Sequence, residues 1–231
     1  MTATMTSHWP DYMKRWQFNG TAEEAAIFSG ANIGYEARMQ YEFMLARGLV
    51  PEDSFLDYGC GALRGTIRLV DYLDDGNFYG SDISIGLLKE ALLECQRLKL
   101  KHIPILQLMD SFDVSSIFGR KFDYVLCNSV TVHIHPEDIQ ELCFSISSVL
   151  EETGKAYLSI HPLDEKEDNP HRWDGYRWWY KRSWFAKEAT KGGLNLSSIP
   201  GEIINRIPGQ RRPIIPVVNT NMTEWILEGT R

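Results

Sequence analysis

An α/β fold built on a mainly parallel, doubly wound sheet is predicted by three observations. Short apolar strands alternate with helices from Ser54 to Ile160, the pattern of a parallel sheet covered on both faces. The first two strands each end in a carboxylate, Asp57 and Asp82. Beyond Ile160 the alternation stops, and LNLSSIPGEIINRI and TEWILEG read as an antiparallel pair of strands at the sheet edge.

The elements follow in order. Residues 1–50 read as an N-terminal helical extension or lid, and residues 51–231 as one domain with an aromatic insertion at 161–182. In the extension, HWPDYMKRW and TAEEAAIF are short helical stretches. YEARMQYEFMLARG mixes helix formers with apolar residues and stops at Gly48 and Pro51. SFLDYG is the first strand, and ALRGTIRLVDYL predicts a helix that begins at once behind its glycines. NFYGSDI is the second strand. SIGLLKEALLECQRLKL is the second helix, with Ser84 placed to cap it and Leu87, Leu88, Ala91, Leu92, Cys95 and Leu98 on one face. IPILQLMD and KFDYVLCNSV are the third and fourth strands. Pro136 opens a helix whose apolar stripe is Ile139, Leu142, Cys143, Ile146, Val149 and Leu150. GKAYLSI is the fifth strand. The aromatic insertion is too irregular for a core element, and SWFAKEATKGG is a last helix, capped by Ser183 and closed by Gly192.

Composition excludes several classes. With 231 residues, 43% of them hydrophobic, the chain has material for a real core and is not a disordered polypeptide. A formal charge of −7 makes it a poor partner for a phosphate backbone, so no nucleic acid is expected. No apolar run approaches the ~20 residues of a membrane span, and the start, MTATMTSHWPDYMKRW, lacks the apolar centre of a secretory leader. Cys60, Cys95, Cys127 and Cys143 stand singly, without metal-ligand spacing, which points to a reducing cytoplasm and no structural zinc. Oligomeric state leaves no signature. Aromatic residues make up 12% of the chain, and Trp173, Trp178, Trp179 and Trp184 crowd into one segment.

FLDYGCGALRG carries the strongest local signal. A buried strand ends in Asp57, and Gly59 and Gly61 let the chain turn sharply and let a ligand approach without a β-carbon in the way. The helix start behind them offers free amides. Asp82 follows at about the spacing at which a nucleotide fold places its ribose-binding acid, and with Ser84 as the cap its carboxylate is left free. Asp110 ends the third strand, where a carboxylate can meet an adenine amino group, and Asn128 ends the fourth.

These residues resemble the class I S-adenosylmethionine-dependent methyltransferases. LDYGCGALRG, GSDIS, the acid at Asp110, FDYVLCNSVTVHIHPEDI and GKAYLSI carry the likeness, over roughly residues 35–231. The resemblance implies a Rossmann-like, seven-stranded sheet with an antiparallel last strand, and S-adenosyl-L-methionine as cofactor. It implies that Asp57, Gly59 and Gly61 lie under the methionine part and Asp82 binds the ribose. Ile83 packs on the adenine, Asp110 with its neighbour Ser111 recognises the adenine edge, and Asn128 lines the methionine and substrate side. One position departs: Leu63 stands where the family has a third glycine, which disfavours a pyrophosphate-bearing cofactor such as NAD more than one without phosphates. Arg38 and Arg64 are each open to two readings, a partner for the cofactor's carboxylate or a surface ion pair.

His133, His135 and His161 follow the fourth and fifth strands. On an extended strand His133 and His135 would share a face, but two nitrogens without a third partner do not make a metal site, and none is predicted. His133 is a general base or a structural hydrogen-bonding group. HRWDGYRWWYKRSWF reads as a stacking platform for nucleic acid, as plain packing, or as a lid over a sulfonium, whose attraction to a ring face is worth roughly 0.5–2 kcal/mol. Tyr176, helically related to Trp179 and Tyr180, is the choice for the pocket, with Trp9, Tyr12 or Trp16 closing from the N-terminal side.

The expected function is methyl transfer from S-adenosylmethionine to a small-molecule acceptor positioned by Tyr176, Asn128 or His133. The runner-up is ring closure of the cofactor itself to azetidine-2-carboxylate, with loss of methylthioadenosine. A non-catalytic binding module and an NAD-dependent oxidoreductase are the rivals from other classes.

Overall fold

The computed structural model describes residues 8–20, 24, 33–198 and 225–231. Its strands are β1 (Phe55–Tyr58), β2 (Phe78–Asp82), β3 (Ile105–Leu108), β4 (Phe122–Cys127), β5 (Leu150–Ile160), β6 (Pro162–Leu163), β7 (His171–Trp173), β8 (Trp178–Lys181), β9 (Asn195–Ser198) and β10 (Trp225–Thr230). Its helices are α1 (Trp9–Arg15), α2 (Ile33–Ala46), α3 (Ile67–Tyr72), α4 (Ile85–Leu98), α5 (Ser115–Phe118), α6 (Ile139–Val149) and α7 (Arg182–Lys191). Seven strands form one sheet in the order β3-β2-β1-β4-β5-β10-β9. β1 pairs in parallel with β2 and with β4, β2 in parallel with β3, and β10 runs antiparallel to both β5 and β9. This is the predicted Rossmann-like α/β architecture with an antiparallel last strand. β10 lies inside the sheet and β9 forms its edge, so the closing pair is not wholly peripheral. The chain divides into two compact units, residues 1–126 and 127–231.

In the first unit all four residues of β1 are buried, as expected of a central parallel strand covered on both faces. Phe55 packs against Phe78 with ring centroids 5.5 Å apart. α4 turns Leu87, Leu88, Ala91 and Cys95 inward, and full burial of each leucine contributes about 1.5–3 kcal/mol. Leu92 and Leu98, expected on that face, are exposed. Ser84 caps α4 by accepting the Leu87 amide at 3.4 Å. The first long helix after β1 does not begin at once: residues 59–66 turn first, and α3 starts only at Ile67 behind Thr66.

In the second unit α6 buries Ile139, Leu142, Cys143, Ile146 and Val149, and α7 buries Phe185 and Ala189. The two helices approach closely at Gly192, where a β-carbon would come within 2.5 Å of the Gln140 carbonyl oxygen. Gly192 thus closes α7 as predicted, but Ser183 does not cap it. The N-cap is Lys181, and Ser183 lies inside the helix with its amide and hydroxyl bonded to Glu165. Residues 161–182 are also more ordered than predicted: β6, β8 and β7 form a second, three-stranded sheet, and Tyr180 is fully buried. Its hydroxyl donates to the Ile134 carbonyl, and its ring stacks on Trp184 at 5.6 Å.

All four cysteines are free thiols and buried. Among the described residues no helix is long and apolar enough to cross a membrane. Most of TAEEAAIF, and the stretch from Ile199 to Glu224 that includes part of the two closing runs, lie outside the described residues.

Candidate active site

In the first unit three adjacent parallel strands, β1, β2 and β3, bring their carboxyl ends together, the place where open α/β sheets bind ligands. Asp57, in β1, is only 5% exposed. Thr66 Oγ1 donates to its Oδ2 at 2.5 Å. Burial raises its pKa from 3.8 to about 7 against that hydrogen bond, with the charge of Asp82 adding to the rise.

The turn that follows takes three consecutive odd positions into the left-handed region: Gly59 at φ 77°, Gly61 at 53° and Leu63 at 59°. Leu63 therefore holds a backbone conformation that favours glycine. The left-handed region costs an L-residue about 1–2 kcal/mol, and full burial of the leucine side chain offsets this. The turn's amides are already in use. Gly59 and Cys60 both donate to the Ser81 carbonyl, at 2.8 and 2.9 Å, and Gly61 donates to Asp82 Oδ2 at 2.8 Å. The amides of these three residues therefore offer nothing to a pyrophosphate.

Asp82 is likewise not left free. Its second oxygen accepts the Ser84 amide at 2.8 Å, so the one carboxylate braces the glycine turn and the start of α4 together. Burial raises its pKa to about 6, opposed by the backbone hydrogen bonds from Ser84, Gly61 and Ile83. A carboxylate has about four acceptor positions, so these three bonds still leave room for an incoming hydroxyl. Ile83 is half-buried beside it. Beyond β3, the Met109 amide donates to the Asp82 carbonyl at 2.9 Å and the Tyr58 hydroxyl donates to the Phe112 carbonyl at 2.9 Å. Asp110, exposed, and Ser111, half-buried, are suspended between those two anchors. Asp57, Gly59, Gly61, Asp82, Ile83, Asp110 and Ser111 thus gather at the ends of three neighbouring strands.

The two arginines differ. Arg64 Nε pairs with Glu36 at 2.8 Å, which favours the ion-pair reading, whereas Arg38 Nε stands 4.0 Å from Glu42 and is partly exposed. From the N-terminal side, Trp9 and Tyr12 set their rings edge-on to Phe112, at 4.9 and 6.0 Å.

The second unit carries Asn128, His133 and Tyr176. Asn128 is half-buried. Its neighbour Ser129 has φ 58° and donates its amide to Ser159 Oγ at 2.7 Å, while Thr131 Oγ1 donates to the Ser159 carbonyl. Ser159 therefore secures the loop behind β4, a role the sequence did not signal. His133 ends a 3-10 turn, Thr131–His133, and His135 caps the next, accepting the Glu137 amide at Nδ1. The two imidazoles are thus not alternate residues of a strand.

Tyr176 is also not on a helix with Trp179 and Tyr180. It sits at the tip of the β7–β8 hairpin, half exposed, and meets the His133 ring edge-on at 6.1 Å. Along β8 the side chains alternate: Trp178 meets His135 and His171, whereas Trp179 meets the buried His161 at 4.9 Å. Asp174 holds the tip, its Oδ1 accepting the amides of Tyr176 and Arg177 and its Oδ2 the Trp179 indole N–H, at 2.7–2.9 Å. The DG pair at 174–175 was the available turn signal for this hairpin.

Comparison with known proteins agrees with this geometry. Residues 56–156 match the family described as a methyltransferase domain. A stretch of 118 residues is 29% identical to an uncharacterised protein of Methanocaldococcus jannaschii, covering 51% of this chain and 31% of that one. The match therefore spans about a third of that relative's length. Among solved structures, magnesium protoporphyrin IX methyltransferase from Synechocystis with bound S-adenosylmethionine superposes over the whole of both chains, with a TM-score of 0.62 and 18% identity. An S-adenosylmethionine-dependent methyltransferase from Clostridium acetobutylicum gives a TM-score of 0.61 at 18% identity, over 88% of this chain and 94% of that one.

Proposed function

Because residues 56–156 match the methyltransferase-domain family, on a fold shared with S-adenosylmethionine-dependent methyltransferases, we propose that the chain binds S-adenosylmethionine and directs its methyl group to a small-molecule acceptor. The observation that carries the reading is the double use of the Asp82 carboxylate, which fixes an acceptor for ribose hydroxyls directly against the glycine turn. The occupied amides of Gly59, Cys60 and Gly61 weigh against a phosphate-bearing cofactor and suit one with none. Two carboxylates whose burial resists ionisation, Asp57 and Asp82, suit a ligand that brings positive charge.

In this reading Asp82 takes the ribose, Ile83 the adenine face, Asp110 and Ser111 the adenine edge, and Asp57, Gly59 and Gly61 support the methionine part, with Arg38 beside its carboxylate. The cofactor, when bound, supplies an electrophilic methyl on a sulfonium. The chain's own task is then to orient the acceptor, the largest contribution such a displacement asks of a protein, and to accept a proton where the nucleophile carries one. Asn128, His133 and Tyr176 are proposed for the acceptor. The edge-on His133–Tyr176 contact supports a shared role, with the imidazole as base and the phenol as wall. The net charge of −7 supports a metabolite over a nucleic acid.

Incubation of the purified protein with S-adenosylmethionine alone and then with a panel of small acceptors tests this. S-adenosylhomocysteine is expected only when an acceptor is present. Methylthioadenosine formed without one would overturn methyl transfer in favour of ring closure.

A further inference from the structure

α1 and the segment that leaves it contact all three loops that make the proposed cofactor site, through the rings of Trp9 and Tyr12 at one and through Gln17 and Phe18 at the others. The Phe18 amide donates to Ser84 Oγ at 3.0 Å and the Gln17 side-chain amide to the Ile83 carbonyl at 2.8 Å. Phe18 and Leu87 form a small buried cluster of their own, with Ala62 of the glycine turn packed against it. Further back, Trp9 and Tyr12 cover Phe112, next to Ser111. One stretch of some ten residues thus touches the turns after β1, β2 and β3.

Gly86 makes this docking possible. A β-carbon there would stand 1.6 Å from the Phe18 carbonyl oxygen and 2.7 Å from its carbon, both backbone atoms that no side-chain rotation can move away. Gly86 sits in the first turn of α4, where helix propensity alone favours alanine. The contact is close, and two hydrogen bonds and a small buried cluster take part in holding it.

We propose that residues 16–18 form a gate on cofactor exchange, closed by the fit of the Phe18 carbonyl onto Gly86. A ligand that spans Gly59–Gly61, Asp82–Ile83 and Asp110–Ser111 is bounded by this segment and cannot enter or leave until it lifts. The gate rests on the cofactor reading above and adds to it a kinetic barrier that acts equally on entry and exit.

Stopped-flow binding and displacement of S-adenosylhomocysteine, followed by tryptophan fluorescence, tests it in the intact chain, in Gly86→Ala and in Phe18→Ala. Both variants are expected to bind and release about tenfold faster, equivalent to ~1.4 kcal/mol off one shared barrier, with the dissociation constant nearly unchanged. Gly86→Ala places a better helix former in α4, so its Tm is expected to hold, and Phe18→Ala loosens the segment without replacing a residue of the helix. Unchanged rates in both variants, or a faster release alone with a weaker dissociation constant, would overturn the gate, the latter making residues 16–18 an ordinary binding contact. Failure of the unaltered protein to bind S-adenosylhomocysteine would overturn the cofactor reading and the gate with it.

Discussion

The Gly61 amide and the Asp82 carboxylate are joined by a 2.8 Å hydrogen bond that ties the turn after one strand to the end of the next. The acid that would hold the ribose therefore also shapes the turn beneath the rest of the ligand. Replacing it removes two things together.

Asp82→Asn retains the size of the side chain but loses one anionic acceptor. Hydrogen bonds to charged groups contribute about 1.5–3 kcal/mol, so the dissociation constant for S-adenosylhomocysteine is expected to rise roughly ten- to a hundredfold by calorimetric titration. An unchanged constant would remove Asp82 from the site.

Asp57 makes stability depend on pH in an uncommon direction. Its pKa is about 7 in the folded chain against an ordinary 3.8, so the folded state holds this proton more tightly than the unfolded one. The associated stability is full below pH 3.8 and is lost as the pH rises through about 7. Asp57→Asn, which has no charge to bury, is expected to gain on the unaltered protein between pH 5 and pH 8. Urea midpoints at the two pH values report it, and a gap between the proteins that does not widen with pH would contradict the assignment.

Leu63 should reverse the usual order of alanine and glycine. Leu63→Ala keeps the φ of 59° and empties a fully buried site, a loss of about 2–5 kcal/mol. Leu63→Gly empties the same site but regains about 1–2 kcal/mol of left-handed strain, against roughly 0.5–1 kcal/mol of chain entropy. Chemical denaturation is expected to find the glycine variant at least as stable as the alanine one; a clear advantage for alanine would mean that the turn relaxes out of the left-handed region.

Asp174 should matter locally and hardly at all globally. It is exposed, yet it secures two amides and an indole at the hairpin tip. In Asp174→Ala, hydrogen exchange at Tyr176 and Arg177 is expected to quicken while Tm stays nearly constant. A large fall in Tm would show that the tip is part of the unit's cooperative core.

The strand and helix alternation from Ser54 to Ile160 was legible because periodicity reports burial directly. The start of α3 was not, because Leu63 takes a glycine's conformation without being a glycine. β8 was not, because Trp178, Trp179 and Tyr180 are aromatic on both faces, so the period of two that separates them is invisible by hydrophobicity. At the site, the acidic strand ends could be read from position alone, since a residue that ends a parallel strand has few places to go. Ser159 and Gln17 could not, because each acts on backbone far away in sequence. Gly86 did leave a trace: a glycine in the first turn of an otherwise amphipathic helix asks what lies against it.

Cys60, buried between the glycine turn and β2, gives the site a chemical timer. Its Sγ fills the space above Gly80, where a β-carbon would approach it to 2.9 Å, and burial, with the charges of Asp57 and Asp82, pushes its thiol well above the ordinary range. Alkylation needs an accessible thiolate, so the rate at which a small electrophile modifies Cys60 measures how often the turn comes away from the strand. Each ligand that settles there should slow that modification in proportion to its occupancy. Occupants can thus be ranked by mass spectrometry before any acceptor is known.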